Sequence, residues 1–138
     1  MKIAIVHDYF TQLGGAEKVA EELMHMLPGA TLHTTVALPD RIPPGLQGYP
    51  MVTSWMQHLP LMKRYYRLYF LLYPLGVGSL SLGEYDLVIS SSSGYGKGVR
   101  TRRDALHICY CHTPMRWVWS FDSYSARESL GWGKRALL

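Results

Sequence analysis

The chain has 138 residues, enough for one domain with a substantial core and too few for two substrate-binding domains. Hydrophobic residues make up 48% and charged residues 17%, a composition that excludes an intrinsically disordered chain. The net charge of +4 permits anionic partners, but its cationic residues are spread over separate stretches, which favours local anion contacts over a nucleic-acid partner.

The order of apolar segments predicts a parallel sheet with helical connections. Residues 3–6 form a continuous apolar run, which is typical of a strand buried on both faces. Further strands are predicted at residues 31–36, 51–53, 86–90 and 105–111, and helices at residues 16–27, at 55–73 and from Ser125 onward. We therefore expect the α/β class, with a Rossmann-like, doubly wound parallel sheet in a single domain.

A glycine pair follows the first predicted strand. Gly14 and Gly15 lie where the carboxyl end of a strand and a helix N-terminus together favour an anionic ligand. Glycine suits this turn because it tolerates positive φ and lets a ligand approach the backbone, although a tight turn without a ligand is the alternative. The dinucleotide-binding motif lacks its third glycine and its acidic residue, so NAD binding is not expected.

A second glycine-rich stretch starts at Gly94. It lacks the spacing of a triphosphate-binding loop, and Val99 stands where that loop carries a hydroxyl group. Ser91 and Ser92, just before it, are predicted to line the same cleft edge as the glycine pair; the alternative is that they only cap a turn.

Histidines and cysteines are the other candidates for chemistry. Cys109, Cys111 and His112 offer too few ligands for zinc, so we predict neither a metal nor a cofactor. His112 ends a predicted buried strand, so its imidazole is expected to face the cleft, as a catalytic group or as a structural histidine. His7 ends the first strand in weaker surroundings. The other histidines are not part of any sequence motif with candidate catalytic or metal-ligating residues: His25, His33, His58 and His107.

The two cysteines also indicate the cellular compartment of the protein. Cys109 and Cys111 lie two apart on one predicted buried strand, so they share a face but are too close for an easy disulfide. The N-terminus shows no export signal. Both observations favour a reducing, cytoplasmic compartment.

Three segments carry a resemblance to a known family. Residues 1–19 contain Leu13-Gly14-Gly15-Ala16-Glu17, residues 85–92 read Tyr-Asp-Leu-Val-Ile-Ser-Ser-Ser, and residues 111–119 read Cys-His-Thr-Pro-Met-Arg-Trp-Val-Trp. The likeness spans most of the chain, and its most specific part is the pairing of Gly-Gly-Ala-Glu with His-Thr-Pro-Met-Arg. Together these segments resemble family 4 of the retaining GT-B glycosyltransferases.

The resemblance implies that residues 1–138 are the acceptor-side, N-terminal domain of a GT-B architecture, incomplete at its C-terminal end. The donor-binding C-terminal domain is then absent, and we expect the isolated chain to be inactive because half a cleft cannot align both substrates. The implied reaction moves a sugar from a nucleotide-sugar donor to a carbohydrate or lipid-linked acceptor, in bacterial envelope polysaccharide synthesis. The alternatives are a stand-alone binding or regulatory module and, third, a nicotinamide-dependent enzyme.

The resemblance also implies roles for individual residues. The loop with Gly14, Gly15 and Glu17 would close over the donor diphosphate, and His112 would be the catalytic residue that reaches the donor sugar near its anomeric centre. Position alone, rather than the resemblance, predicts that Ser91 and Ser92 contact substrate at a strand end. Arg116 and Trp117, just past His112, are predicted to bind a phosphate of the acceptor or to stack on a sugar, although Trp117 and Trp119 can equally be core residues.

A cationic and apolar segment at residues 61–73 predicts one further partner. Lys63, Arg64 and Arg67 occupy one arc of a helical projection, and the rest is Met, Leu, Phe and Tyr. Such a segment can lie against an anionic membrane, here at the inner face, or pack as a helix into its own core. The longest charge-free run nearby is too short to span a bilayer.

Overall fold

Apolar runs separated by glycine- and proline-containing segments fold into a sheet with helices against it. The computed structural model describes residues 1–114. Its strands are β1 (Ile3–His7), β2 (Thr31–Thr34), β3 (Met51–Thr53), β4 (Leu87–Ser92) and β5 (Leu106–Cys111). Its α-helices are α1 (Gly15–Met26), α2 (Met62–Tyr65) and α3 (Tyr73–Gly78), with 3-10 turns at Pro39–Arg41, Pro44–Leu46, Trp55–His58, Phe70–Leu72 and Gly96–Gly98.

The strands pair in parallel, in the order β3-β2-β1-β4-β5. The chain moves outward from β1 through β2 to β3 and then returns to β4 on the other side of β1. This reversal places a topological switch point between β1 and β4, where open α/β sheets bind their ligands. The predicted α/β class with a parallel sheet is confirmed, and the strand order is compatible with a Rossmann-like fold.

The central strand β1 is buried on both faces. Ile5 packs with Ala20 and Met24 of α1, whereas Ala4 and Val6 belong to the core cluster that includes part of α3. Since side chains alternate across a strand, a strand covered on both faces needs apolar residues at consecutive positions. The continuous apolar run that predicted β1 has this physical origin.

The helical character predicted for residues 55–73 is confirmed in part, because the chain forms short helical pieces there and no continuous helix. Pro60 is the cause of the first break: a proline ring pushes the residue before it out of the helical region. Leu59 is accordingly extended, with φ −66° and ψ 142°, and Leu61 adopts a left-handed φ of 51°. The chain therefore leaves the turn at His58 and re-enters a helix at Met62.

The two cysteines of β5 are exposed, not buried as predicted. Among the described strands β5 pairs only with β4, so it lies at one edge of the sheet that residues 1–114 form. Both thiols are free, and Cys111 Sγ lies 3.5 Å from the carbonyl oxygen of Thr113. The helix predicted from Ser125 lies outside the described residues.

One buried carboxylate ties β1 to the loop after β4. Asp8 Oδ1 accepts hydrogen bonds from Ser92 Oγ at 2.7 Å and from the Gly96 amide at 2.6 Å. Its Oδ2 accepts from the amides of Ser93 and Gly94, both at 2.8 Å. A Cβ at Gly96 would lie 2.9 Å from Asp8 Oδ1, so this close approach requires glycine.

Replacing Asp8 with alanine should destabilise the fold strongly. A buried donor left without an acceptor costs roughly 1–3 kcal/mol, and several donors lose theirs at once, so we expect the free energy of unfolding to fall by about 3 kcal/mol. Urea denaturation followed by circular dichroism measures this loss. The control Asp104→Ala removes an exposed carboxylate and should leave stability nearly unchanged; equal stability of both variants would contradict the bridging role of Asp8.

Two histidines on the sheet have hydrogen-bond partners that the sequence did not indicate. His33 Nε2 lies 2.9 Å from Tyr85 Oη, and His107 Nε2 lies 2.9 Å from Ser90 Oγ. Burial lowers the pKa of His33 more than nearby Glu84 raises it, and burial also lowers the pKa of His107. In the folded state both imidazoles therefore resist protonation.

These lowered pKa values make the fold less stable in mild acid. The unfolded chain takes up protons near pH 6.5, the ordinary pKa of histidine, whereas the folded chain does not, so stability is lost as the pH falls below this value. Urea midpoints measured between pH 7.5 and 5.5 should decrease, and His33→Gln should reduce the slope. A midpoint that rises on acidification would contradict this assignment.

Candidate functional site

The carboxyl ends of three strands and the start of α1 meet at the switch point. His7, the last residue of β1, is paired in register with Ser91 of β4. Ser92 of β4 is paired with Cys111 of β5, and the His112 amide donates to the Ser92 carbonyl oxygen at 3.2 Å. Parallel pairing thus brings His7, Ser91 and His112 to the same edge of the sheet.

The glycine pair forms the start of α1, but not through positive φ as predicted. Gly14 is the residue before the helix and is extended, with φ −144° and ψ −167°. A Cβ on Gly14 would lie 3.0 Å from Glu17 Oε2, whereas a Cβ on Gly15 would meet nothing within 4 Å. Gly15 is exposed. Gly14 therefore leaves room for a side chain of its own helix, and only Gly15 leaves its backbone open from outside.

Glu17 is 2% exposed, so its side chain faces inward although it carries a carboxyl group. Its Oε2 accepts the Gly14 amide at 2.9 Å, and its Oε1 lies 3.8 Å from His7 Nε2. Burial acts to raise the pKa of Glu17, but the nearby His7 imidazole and hydrogen bonds from backbone amides outweigh it and hold the pKa below its ordinary value. Glu17 is therefore a buried carboxylate at neutral pH.

His7 has stronger surroundings than the sequence indicated. Its side chain is buried, and its Nδ1 lies 3.0 Å from the carbonyl oxygen and 3.3 Å from the hydroxyl oxygen of Ser91. Its ring lies 4.7 Å from that of Phe10, centroid to centroid. In the sequence, the pattern that could have predicted this role is the polar pair His7 and Asp8, which directly follows the apolar run of the central strand.

His112 is half-buried and joins this network from the other side of Ser91. Its Nε2 lies 2.8 Å from Ser91 Oγ, and its ring lies 5.0 Å from that of Tyr110. Burial lowers the pKa of His112 and the neighbouring His7 lowers it further, while Asp8 and Glu17 act in the opposite direction. At neutral pH the imidazole is uncharged and can exchange hydrogen bonds with a ligand.

Three predicted site residues remain: Ser92, Arg116 and Ser91. Ser92 is buried and its hydroxyl group bonds Asp8, so it holds the loop after β4. Arg116 lies outside the described residues. Ser91 is within hydrogen-bond distance of a histidine, as in a serine hydrolase, but it is fully buried and cannot reach a substrate as a nucleophile.

These residues form no metal cluster within the described part of the chain. Within residues 1–114 no three His, Cys, Asp or Glu side chains are grouped to hold a metal ion. A cavity of about 270 Å³ lies beside the loop that Asp8 holds, and it is lined by Pro74, Val77, Gly94, Tyr95, Lys97 and Gly98. His112 and Gly15 instead lie at the carboxyl ends of the strands and are not among the residues that line this cavity.

This edge can receive a ligand rich in hydroxyl groups or oxygens. The half-buried, uncharged imidazole of His112 is backed by the Ser91 hydroxyl group, the His7 imidazole and the Glu17 carboxylate. The helix start at Gly15 lies open beside them. The chain matches no protein-family model, and no curated protein and no solved structure with significant similarity to it was found.

Proposed function

We propose that this chain forms the acceptor-side, N-terminal half of a retaining GT-B glycosyltransferase, which moves a sugar from a nucleotide-sugar donor to a carbohydrate or lipid-linked acceptor. The observation that carries the proposal is a chain of polar contacts at the switch point of a parallel sheet, which runs from His112 through Ser91 and His7 to Glu17 at the start of α1, where Gly15 is exposed. His112 and Gly15 belong to the segments that resemble the family. A second domain would hold most of the donor, so the isolated chain would not catalyse transfer.

The structure makes Gly15 a sharp test of this proposal. Because a Cβ at Gly15 would meet no atom of residues 1–114 within 4 Å, we expect Gly15→Val to fold normally and still to block a ligand that approaches the backbone. Gly83 is a matched control. It is exposed, a Cβ there would likewise meet no described atom within 4 Å, and it precedes β4, at the amino ends of the strands and thus away from the candidate site. We expect Gly15→Val and His112→Ala to reduce transfer by about 100-fold, the loss typical of one positioned group, and Gly83→Val to leave it unchanged.

The measurement is sugar transfer by the product of the complete gene, supplied with a panel of nucleotide sugars and a lipid-linked acceptor extract. Transfer undiminished by either Gly15→Val or His112→Ala would contradict the site. A reading frame that stops at Leu138 would contradict the two-domain enzyme and favour the stand-alone binding module instead.

We also propose that residues 61–73 rest on an anionic membrane at its cytoplasmic face. This segment is attached to the core through Met62 and Tyr73, and leucines that are each at least 63% exposed lie along it and just after it: Leu61, Leu68, Leu71 and Leu75. Exposed cationic residues stand between these leucines: Lys63, Arg64 and Arg67. Exposed apolar side chains beside basic ones suit the interface of an acidic bilayer. Within residues 1–114 no helix has the length and apolar character needed to cross a bilayer.

Vesicle co-sedimentation tests the membrane contact. The chain should bind vesicles containing phosphatidylserine more tightly than pure phosphatidylcholine vesicles, and binding should weaken as salt is added. Lys63→Glu with Arg64→Glu should lower binding at least about tenfold, since each basic residue near such a surface contributes about 1 kcal/mol. Met26→Glu, at an exposed apolar position on α1, is the control; equal binding to both vesicle types would contradict the contact.

A further inference from the structure

Ser91 lies between two imidazoles, and its surroundings determine where its single hydroxyl proton goes. The residue is fully buried, with His7 Nδ1 at 3.3 Å and His112 Nε2 at 2.8 Å from its hydroxyl oxygen. Within residues 1–114 no other group hydrogen-bonds to that oxygen. A buried hydroxyl proton without an acceptor is costly, so one of the two imidazoles must accept it.

The backbone of β4 excludes His7 as that acceptor. Nδ1 of His7 lies 3.0 Å from the Ser91 carbonyl oxygen, and a carbonyl oxygen can only accept a hydrogen bond. Nδ1 of His7 must therefore carry a proton, which it shares between the carbonyl and hydroxyl oxygens of Ser91. The Ser91 proton is then left to His112 Nε2, which must be unprotonated to receive it.

Glu17 lies on the opposite side of the His7 ring. Its buried carboxylate lies 3.8 Å from His7 Nε2, so a ring rotation that removed Nδ1–H from Ser91 would also disturb this pair. The charged and titratable groups that act on His112 are His7, Asp8 and Glu17, and Tyr110 packs against its ring. Burial keeps His112 uncharged, so its one remaining ring proton must sit on Nδ1.

We propose that His7 and Ser91 are positioning residues that fix His112 as its Nδ1–H tautomer, so that His112 donates a hydrogen bond to a ligand oxygen through Nδ1. The ligand atom recognised is then a hydrogen-bond acceptor, such as a sugar hydroxyl or carbonyl oxygen. The tautomer is a property of the free chain, and only its consequence for the ligand rests on the proposed function.

Long-range nitrogen–proton correlation NMR on the 15N-labelled chain at pH 7.5 reports this tautomer directly. His112 should show a protonated nitrogen at Nδ1 and an unprotonated nitrogen at Nε2. In Ser91→Ala the hydroxyl donor is lost, and the Nε2 resonance should shift toward the protonated range, because free histidine prefers the Nε2–H tautomer. An Nε2–H tautomer in the unmodified chain, or no shift in Ser91→Ala, would overturn the proposal.

Ser90 provides a matched control on the same strand. Its hydroxyl oxygen lies 2.9 Å from His107 Nε2, so Ser90→Ala should alter the signals of His107 and leave those of His112 in place. His7→Asn keeps an N–H donor near the position of Nδ1 and should retain the His112 tautomer, whereas His7→Leu should lose it. Loss of the Nδ1–H tautomer of His112 in Ser90→Ala or in His7→Asn would instead indicate a general loosening of the sheet. It would overturn the proposal that His7 and Ser91 fix this tautomer.

These measurements need no nucleotide sugar. A failed transferase assay together with an intact Nδ1–H tautomer of His112 would contradict the transferase function and support the roles proposed for His7 and Ser91. Active transfer together with an Nε2–H tautomer would support the transferase function and contradict those roles.

Discussion

The parallel pairing of β1 with β4 is the constraint on which the candidate site depends. In that register His7 lies opposite Ser91, so an imidazole nitrogen meets both a backbone carbonyl and a hydroxyl group on the neighbouring strand. One residue further on, Asp8 collects the amides of the loop after β4. A shift of the register by one residue would turn every side chain of β1 to the other face and separate these partners.

The sheet could be predicted because strands buried on both faces need consecutive apolar residues, and β1 has them. The helical segment after β3 could not be predicted from its apolar and cationic pattern, since Pro60 and the left-handed Leu61 interrupt it. Burial of the cysteines was also mispredicted: apolar content indicates a strand but not whether that strand lies at an edge. Edge position depends on pairing with the rest of the chain, which a local pattern does not contain.

The site was predictable in its location and not in its internal contacts. The end of a strand and a glycine turn indicated Gly14, Gly15 and His112, but the inward orientation of Glu17 is set by its contacts with the Gly14 amide and His7. A helical projection places Glu17 among charged neighbours and cannot show that a buried imidazole stands opposite. Polar residues that pair across elements escape any analysis based on hydrophobic periodicity.

Charge balance at this edge bears on which half of a transfer reaction it could serve. Asp8 and Glu17 bring two buried carboxylates, while His112 is uncharged at neutral pH. Even a fully protonated His7 would leave no net positive charge among these four side chains. A diphosphate would meet the start of α1 but no cation among them, whereas a neutral hydroxyl-bearing acceptor avoids this cost. These side chains are therefore better suited to a neutral hydroxyl group than to a diphosphate, which argues against the donor-diphosphate contact that the resemblance implied for Glu17.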